Sequence, residues 1–108
     1  MSKPRIAVIG TPGKWSTEVL ADRLEELTGF RCVVDMGEVV MELETGLLHY
    51  RGQVLNQLDA VVIKKISEIY SPAAEDRLRM LASLEHSGVR CFSRPQQISR
   101  LVNRLEGT

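Results

Sequence analysis

Two short runs in this chain, Ile6-Ala7-Val8-Ile9 and Ala60-Val61-Val62-Ile63, are apolar at every position. Side chains on a β-strand alternate between opposite faces. A strand with no polar alternation must therefore be covered on both sides, which is the condition of a central strand in a parallel sheet. Such sheets require helical crossovers. The segments between the apolar runs have that character, so the sequence predicts an α/β chain with a three-layer, open, mostly parallel sheet and helices on both faces.

The first strand is predicted over Arg5–Gly10. Helix one follows over about Ser16–Leu27, with Ser16 or Thr17 as its cap, Glu18 in its first turn and Val19, Leu20, Leu24 and Leu27 as its apolar stripe. Gly29 is placed to end it in a left-handed conformation. Strand two is predicted over Phe30–Val34, ending at Asp35. Between Met36 and Leu58 the pattern is less regular. Glu38–Met41 reads as a helical turn or a strand start. A small β-hairpin insertion follows, with Leu47–Tyr50 as one arm, Arg51-Gly52 as the turn and Gln53–Leu55 as the other arm.

The strand Asp59–Ile63 leads into a loop over Lys64–Pro72. Another helix is expected over about Ala73–His86, with Leu78, Leu81 and Leu84 on one side and Gly88 closing it. Val89–Phe92 is the last strand. Pro95 opens a final helix whose Ile98, Leu101, Val102 and Leu105 fall at i, i+3, i+4 and i+7. Right-handed crossovers place strand two on one side of strand one and the Asp59 strand on the other. The order reverses between them, and ligands bind open α/β sheets at such a reversal, beyond the carboxyl ends of the strands. Thr11–Ser16 and Lys64–Tyr70 line that crevice.

The 108 residues correspond to one domain with a radius of gyration of roughly 13 Å. Net charge is zero and only 5% of residues are aromatic, which argues against nucleic-acid binding and base stacking. Cys32 and Cys91 show neither metal-ligand nor redox spacing and read as buried thiols of a reducing compartment. The apolar run ending at Gly10 is too short for a signal peptide. No segment approaches the ~20 apolar residues of a membrane span. A cytoplasmic protein without a membrane partner is expected.

Gly10, Gly13, Lys14 and Ser16 carry the letters of a P-loop, but two residues separate the glycines where a P-loop has four, and Trp15 separates the lysine from the hydroxyl. The dinucleotide fingerprint fails where Trp15 and Ser16 stand. A small-anion site at the helix start and a plain tight turn remain as readings of this loop. Trp15 suits a crevice wall, a domain contact or a core cap. Lys64 and Lys65 point to opposite faces, so one of them can hold a carboxylate or phosphate in the crevice. Asp35, ending strand two, suits a ribose hydroxyl in a dinucleotide site, but the glycine fingerprint of such a site is missing. His49, His86 and the carboxylates Glu25, Glu26, Glu42 and Glu44 form no catalytic or metal constellation by spacing, so no catalytic residue is assigned and no metal ligand.

The order of several segments carries a resemblance. These are the opening apolar strand, Trp15-Ser16 in the first loop, the His49-Tyr50-Arg51-Gly52 turn, the Asp59-Ala60-Val61-Val62-Ile63 strand, and Phe92-Ser93-Arg94-Pro95-Gln96-Gln97-Ile98. Together they resemble the N-terminal, pre-ATP-grasp domain of ATP-grasp carboxylate–amine ligases. The nearest branch is that of the ribosomal-protein glutamate ligases (RimK-like) and their glutathione-synthetase-like relatives. Three departures stand out: Lys65 replaces a family arginine, Ser67 a glycine, and Asn103-Arg104 an Asp-Lys pair. Lysine at 65 lacks the bidentate geometry of arginine.

The resemblance implies a Rossmann-like domain over 1–108 that is inactive alone. Its ATP-grasp module, lying elsewhere, would use ATP and Mg2+ to make an acyl phosphate that an amine then attacks. This chain would contribute a wall for an amino-acid or peptide substrate, with Thr11, Lys14, Trp15 and Ser16 from the first loop and Lys65, Ser67 and Tyr70 from the second. Arg104 would reach a nucleotide phosphate. If the chain is such an excised domain, its uncovered face is prone to self-association, so a homo-oligomer is also an expectation. The alternative is a free-standing flavodoxin- or receiver-like module that binds a small molecule or a protein partner. Its receiver form is disfavoured because Thr11-Pro12 and Lys64-Lys65 stand where the acidic cluster and the phosphorylatable aspartate would be.

Overall fold

A computed structural model of the chain describes residues 3–64 and 74–107. Four strands form one parallel sheet: β1 (Ile6–Ile9), β2 (Val33–Val34), β6 (Ala60–Ile63) and β7 (Arg90–Phe92), in the order β2-β1-β6-β7. Three further strands, β3 (Val40–Met41), β4 (Leu48–Tyr50) and β5 (Gln53–Val54), make a separate antiparallel meander. The helices are α1 (Trp15–Thr28), α2 (Ala74–His86) and α3 (Pro95–Glu106).

The all-apolar strands behave as their composition requires. Alternate residues of β1 and β6 enter two different cores. Ala7, Ile9 and Val61 pack with Leu84 of α2 and with Leu48, Tyr50, Leu55 and Leu58 of the meander region. Ile6, Val8, Ala60 and Val62 pack with Ala21 and Leu24 of α1, and Ile98, Leu101 and Leu105 of α3 close that side. The sheet thus has α1 and α3 on one face and α2 with the meander on the other. The expected α/β class and two-sided helical cover are present. The radius of gyration is 13.5 Å.

Several boundaries differ from expectation. Helix α1 starts at Trp15 after Lys14, and no side chain caps it. Neither Ser16 nor Thr17 serves as the cap. Thr17 is 1% exposed because it packs against the backbone at Gly10, just past the end of β1. The buried stripe of α1 is Thr17, Ala21, Leu24 and Thr28, so Val19 falls outside it and is exposed. Regular β2 is only Val33–Val34, although the Cys32 carbonyl still accepts a 2.8 Å hydrogen bond from the Val8 amide. The insertion is a three-stranded meander rather than a hairpin alone, since Val40–Met41 adds a strand after a 3-10 turn at Met36–Glu38. Leu55 belongs to a 3-10 turn over Leu55–Gln57, not to the second arm. The Arg51-Gly52 turn is as expected. Both residues have positive φ, 47° and 81°, and both backbones therefore suit the tight turn whose twist matches a β-hairpin. Glu38 holds the Arg51 guanidinium at 2.9 Å.

Asn56 fastens the meander to α2. Its Oδ1 accepts from the Leu48 amide at 2.7 Å. Its Nδ2 donates to the Ser83 and Ser87 hydroxyls at 3.2 and 2.9 Å. Ser83 in turn donates to the Gly46 carbonyl at 2.8 Å. Replacing one partner strands the others, and a buried amide left unpaired costs about 1–3 kcal/mol. Asn56→Ala is therefore expected to destabilise the chain by about 2 kcal/mol in urea unfolding, and Asn56→Asp, which keeps the acceptor for Leu48, by less.

Gly10 ends β1 where a side chain cannot fit. A Cβ there would lie 2.8 Å from Thr17 Oγ1 and 3.0 Å from Thr17 Cγ2. Helix α1 leaves the sheet edge at this closeness because residue 10 is glycine. Overpacking of this kind costs roughly 1–3 kcal/mol. Gly10→Ala should lose that much in denaturant melts. Adding Thr17→Ala, which removes both clashing atoms, should recover part of it in a double-mutant cycle.

Candidate functional site

The strand order reverses between β1 and β6, as the sequence predicts. β1 connects through α1 to β2 on one side, and β6 through α2 to β7 on the other. The two central strands run in register from Ile6 opposite Ala60 to Ile9 opposite Ile63. Their carboxyl ends are tied by the Lys64 amide donating to the Ile9 carbonyl at 2.9 Å. Beyond them lie the loop 10–14, the first turn of α1, and Lys64.

The loop is a tight turn. The Lys14 amide donates to the Thr11 carbonyl at 3.1 Å across Pro12-Gly13, with Gly13 at φ 83°. Proline followed by a left-handed glycine is the pattern of a type II turn. Lys14 is extended, and its carbonyl accepts from the Thr17 and Glu18 amides, both at 3.0 Å. Thr11, Lys14 and Trp15 are exposed and Ser16 is half-buried. Trp15 is 79% exposed, which removes the reading of it as a core cap.

Lys64 shares the α1 face with Gly10. A Cβ on Gly10 would stand 3.5 Å from that of Lys64. The structure therefore gathers Thr11, Lys14, Trp15 and Ser16 at one sheet edge and sets Lys64 beside them. Lys65, Ser67 and Tyr70 lie outside the described residues. Arg104 is not at this edge. It sits near the end of α3, which returns over about 18 Å to the amino ends of the strands.

The sequence reading missed a carboxylate that conditions the helix start. Glu18 turns back so that its Oε2 accepts from the Gly13 amide at 2.8 Å, while its Oε1 meets the Arg31 guanidinium. Arg31 also reaches Asp22 at 2.9 Å. The Gly13 amide bond first, and Arg31 second, hold the Glu18 carboxyl below its usual value. A negative group thus already occupies part of the positive end of α1, which weakens the case for a small-anion site there. Glu18 and Arg31 are brought together only by the α1–β2 connection, so no local spacing reveals them.

The other polar candidates are engaged elsewhere. Asp35 Oδ1 accepts from the Gly37 amide at 3.0 Å, starting the 3-10 turn. His49 Nε2 and Glu42 Oε2 are 3.0 Å apart on the meander. Both cysteines are free and half-buried. Burial raises both thiols, that of Cys91 to about 11, so neither is an activated nucleophile. Among the described residues no group of three or more His, Cys, Asp or Glu side chains could hold a metal ion, and no helix is long and apolar enough to cross a membrane.

No family model, no curated protein and no solved structure matches this chain.

The Glu18 arrangement makes a pH prediction. A carboxyl whose value is lowered on folding contributes stability above the ordinary 4.5 of the free group, and that contribution is lost as the pH falls through the lower folded value. Glu18→Gln should thus be less stable than the parent at pH 7, with the gap closing as the pH drops below 4.5. Thermal melts across that range check it. Because Glu18 is solvent-accessible, added salt should narrow the gap.

Proposed function

We propose that this chain is the acceptor-substrate domain of an ATP-dependent carboxylate–amine ligase, with a Rossmann-like pre-ATP-grasp fold, and that it is inactive alone. The observation that carries the reading is the company Trp15 keeps at the switch point. An exposed indole opens α1 at the carboxyl edge, flanked in the chain by Lys14 and Ser16, with Lys64 just past the end of the neighbouring strand. Ligand sites in open α/β sheets occur at this position. An aromatic face supplies apolar contact and the lysines favour a carboxylate, which suits an amino acid or an acidic peptide. The parallel order β2-β1-β6-β7 and the order of segments noted in the sequence are consistent with it.

In this reading Trp15 forms the wall of the acceptor site. Lys14 and Lys64 hold a substrate carboxylate as point charges, and Thr11 and Ser16 offer hydroxyls for its remaining lone pairs. The ATP-grasp module, held outside these residues, would bring ATP and Mg2+ and activate the other carboxylate as an acyl phosphate. Cellular placement in the cytoplasm is part of the same proposal.

Two measurements test it. The chain is expected to show no micromolar binding of Mg2+–ATP by calorimetry, and such binding would overturn the assignment of nucleotide to another module. Trp15 is the one tryptophan, so its fluorescence reports this edge directly. Titration with glutamate or a short glutamyl peptide at millimolar concentration should change its emission, and Lys14→Glu should weaken that response at least tenfold. An emission unmoved by either ligand rejects the acceptor-site reading.

A further inference from the structure

At the opposite edge of the sheet lies a groove that the proposed acceptor-substrate site does not use. It occupies about 340 Å³ between the amino ends of the central strands and the last turns of α3. Its volume is near the lower end for small-molecule sites. The floor is apolar: Ile6, Ala60, Phe92, Leu101 and Leu105 line it and belong to the α1-side core. Its rim is cationic. Lys3, Arg90 and Arg104 line it against a single carboxylate, Asp59.

The three cations come from separate parts of the chain: the segment before β1, the first residue of β7, and the last turn of α3. None of them takes part in the ion pairs of the described residues, which use Arg23, Arg31, His49 and Arg51 instead. Asp59 is already committed, because its Oδ2 accepts from the Arg5 amide at 2.7 Å. The Arg5 guanidinium lies over the Phe30 ring, 5.2 Å from its centroid. Three cationic heads around an apolar trough, with one partly satisfied carboxylate, are complementary to an anion carrying a short apolar body.

We propose that this groove binds a small amphipathic carboxylate, with its alkyl or aryl tail on Phe92 and Leu101 and its carboxylate among Lys3, Arg90 and Arg104. Guanidinium forks suit a carboxylate bidentately, and the apolar floor excludes the water that would otherwise compete. The site is distinct from the carboxyl-edge crevice, so it stands or falls independently of the acceptor-site reading.

Octanoate is the probe. Added to the labelled chain, it is expected to shift the amide resonances of Ile6, Ala60 and Leu101 in a saturable way while leaving those of Lys14 and Trp15 in place. Octanol, with the same tail and no charge, should bind at least tenfold more weakly. Arg104→Glu and Arg90→Glu should each weaken octanoate at least tenfold. Lys3→Glu, on the segment before β1, supplies a charge reversal that perturbs no regular element. Equal binding of octanol and octanoate, or octanoate affinity unchanged by charge reversal in folded variants, overturns the proposal. So does the absence of saturable shifts at the groove.

Discussion

The ladder between β1 and β6 is the constraint on which the rest of this structure depends. Four consecutive residues of each strand face one another, and all but Ile63 are buried. Because each strand sends alternate side chains to opposite faces, the ladder creates two apolar surfaces at once. Neither can be left to water. One demands α1 and α3, and the other demands α2 and the meander. The positions of the three helices follow from this pairing more than from their own propensities.

The same ladder separates the molecule into two chemically different ends. At the carboxyl end the chain must leave the sheet quickly, and Gly10 allows α1 to start against the strand itself. That closeness buries Thr17 and throws Trp15 outward. At the amino end, α3 arrives with its last turn and leaves a trough beside it. The Arg23 bridge to Glu106 at 2.8 Å joins α1 to the end of α3.

Much of this was legible in the residues. The uniform apolarity of Ile6–Ile9 and Ala60–Ile63 implied burial on both faces, and the reversal of strand order followed from right-handed crossovers. The Arg51-Gly52 turn was legible because a short turn between β-like runs admits few backbones. What was not legible depended on distance in space. Thr17 looks like a helix cap in sequence, since hydroxyls at that position usually are, and only the packing against Gly10 turns it inward. Glu18 and Arg31 meet across a helix-to-strand connection that no periodicity encodes. The amino-edge groove draws on three segments whose charges look unrelated along the chain. β3 was ambiguous because two residues are too few for a period to declare itself.

The pairing of Ile6 with Ala60 also has a meaning in time. The strand that anchors both cores is synthesised before its main partner, which comes more than fifty residues later. At about 5–20 residues per second, β1 waits roughly 3–10 s for β6 to be made. Through that interval its other neighbour, β2, offers only two regularly paired residues. An uncovered apolar strand of this kind invites association with other chains. Helix α1, packing Ala21 and Leu24 onto Ile6 and Val8, is the element positioned to shield it, so the β1–α1 unit covers one face of its own strand until β6 is made.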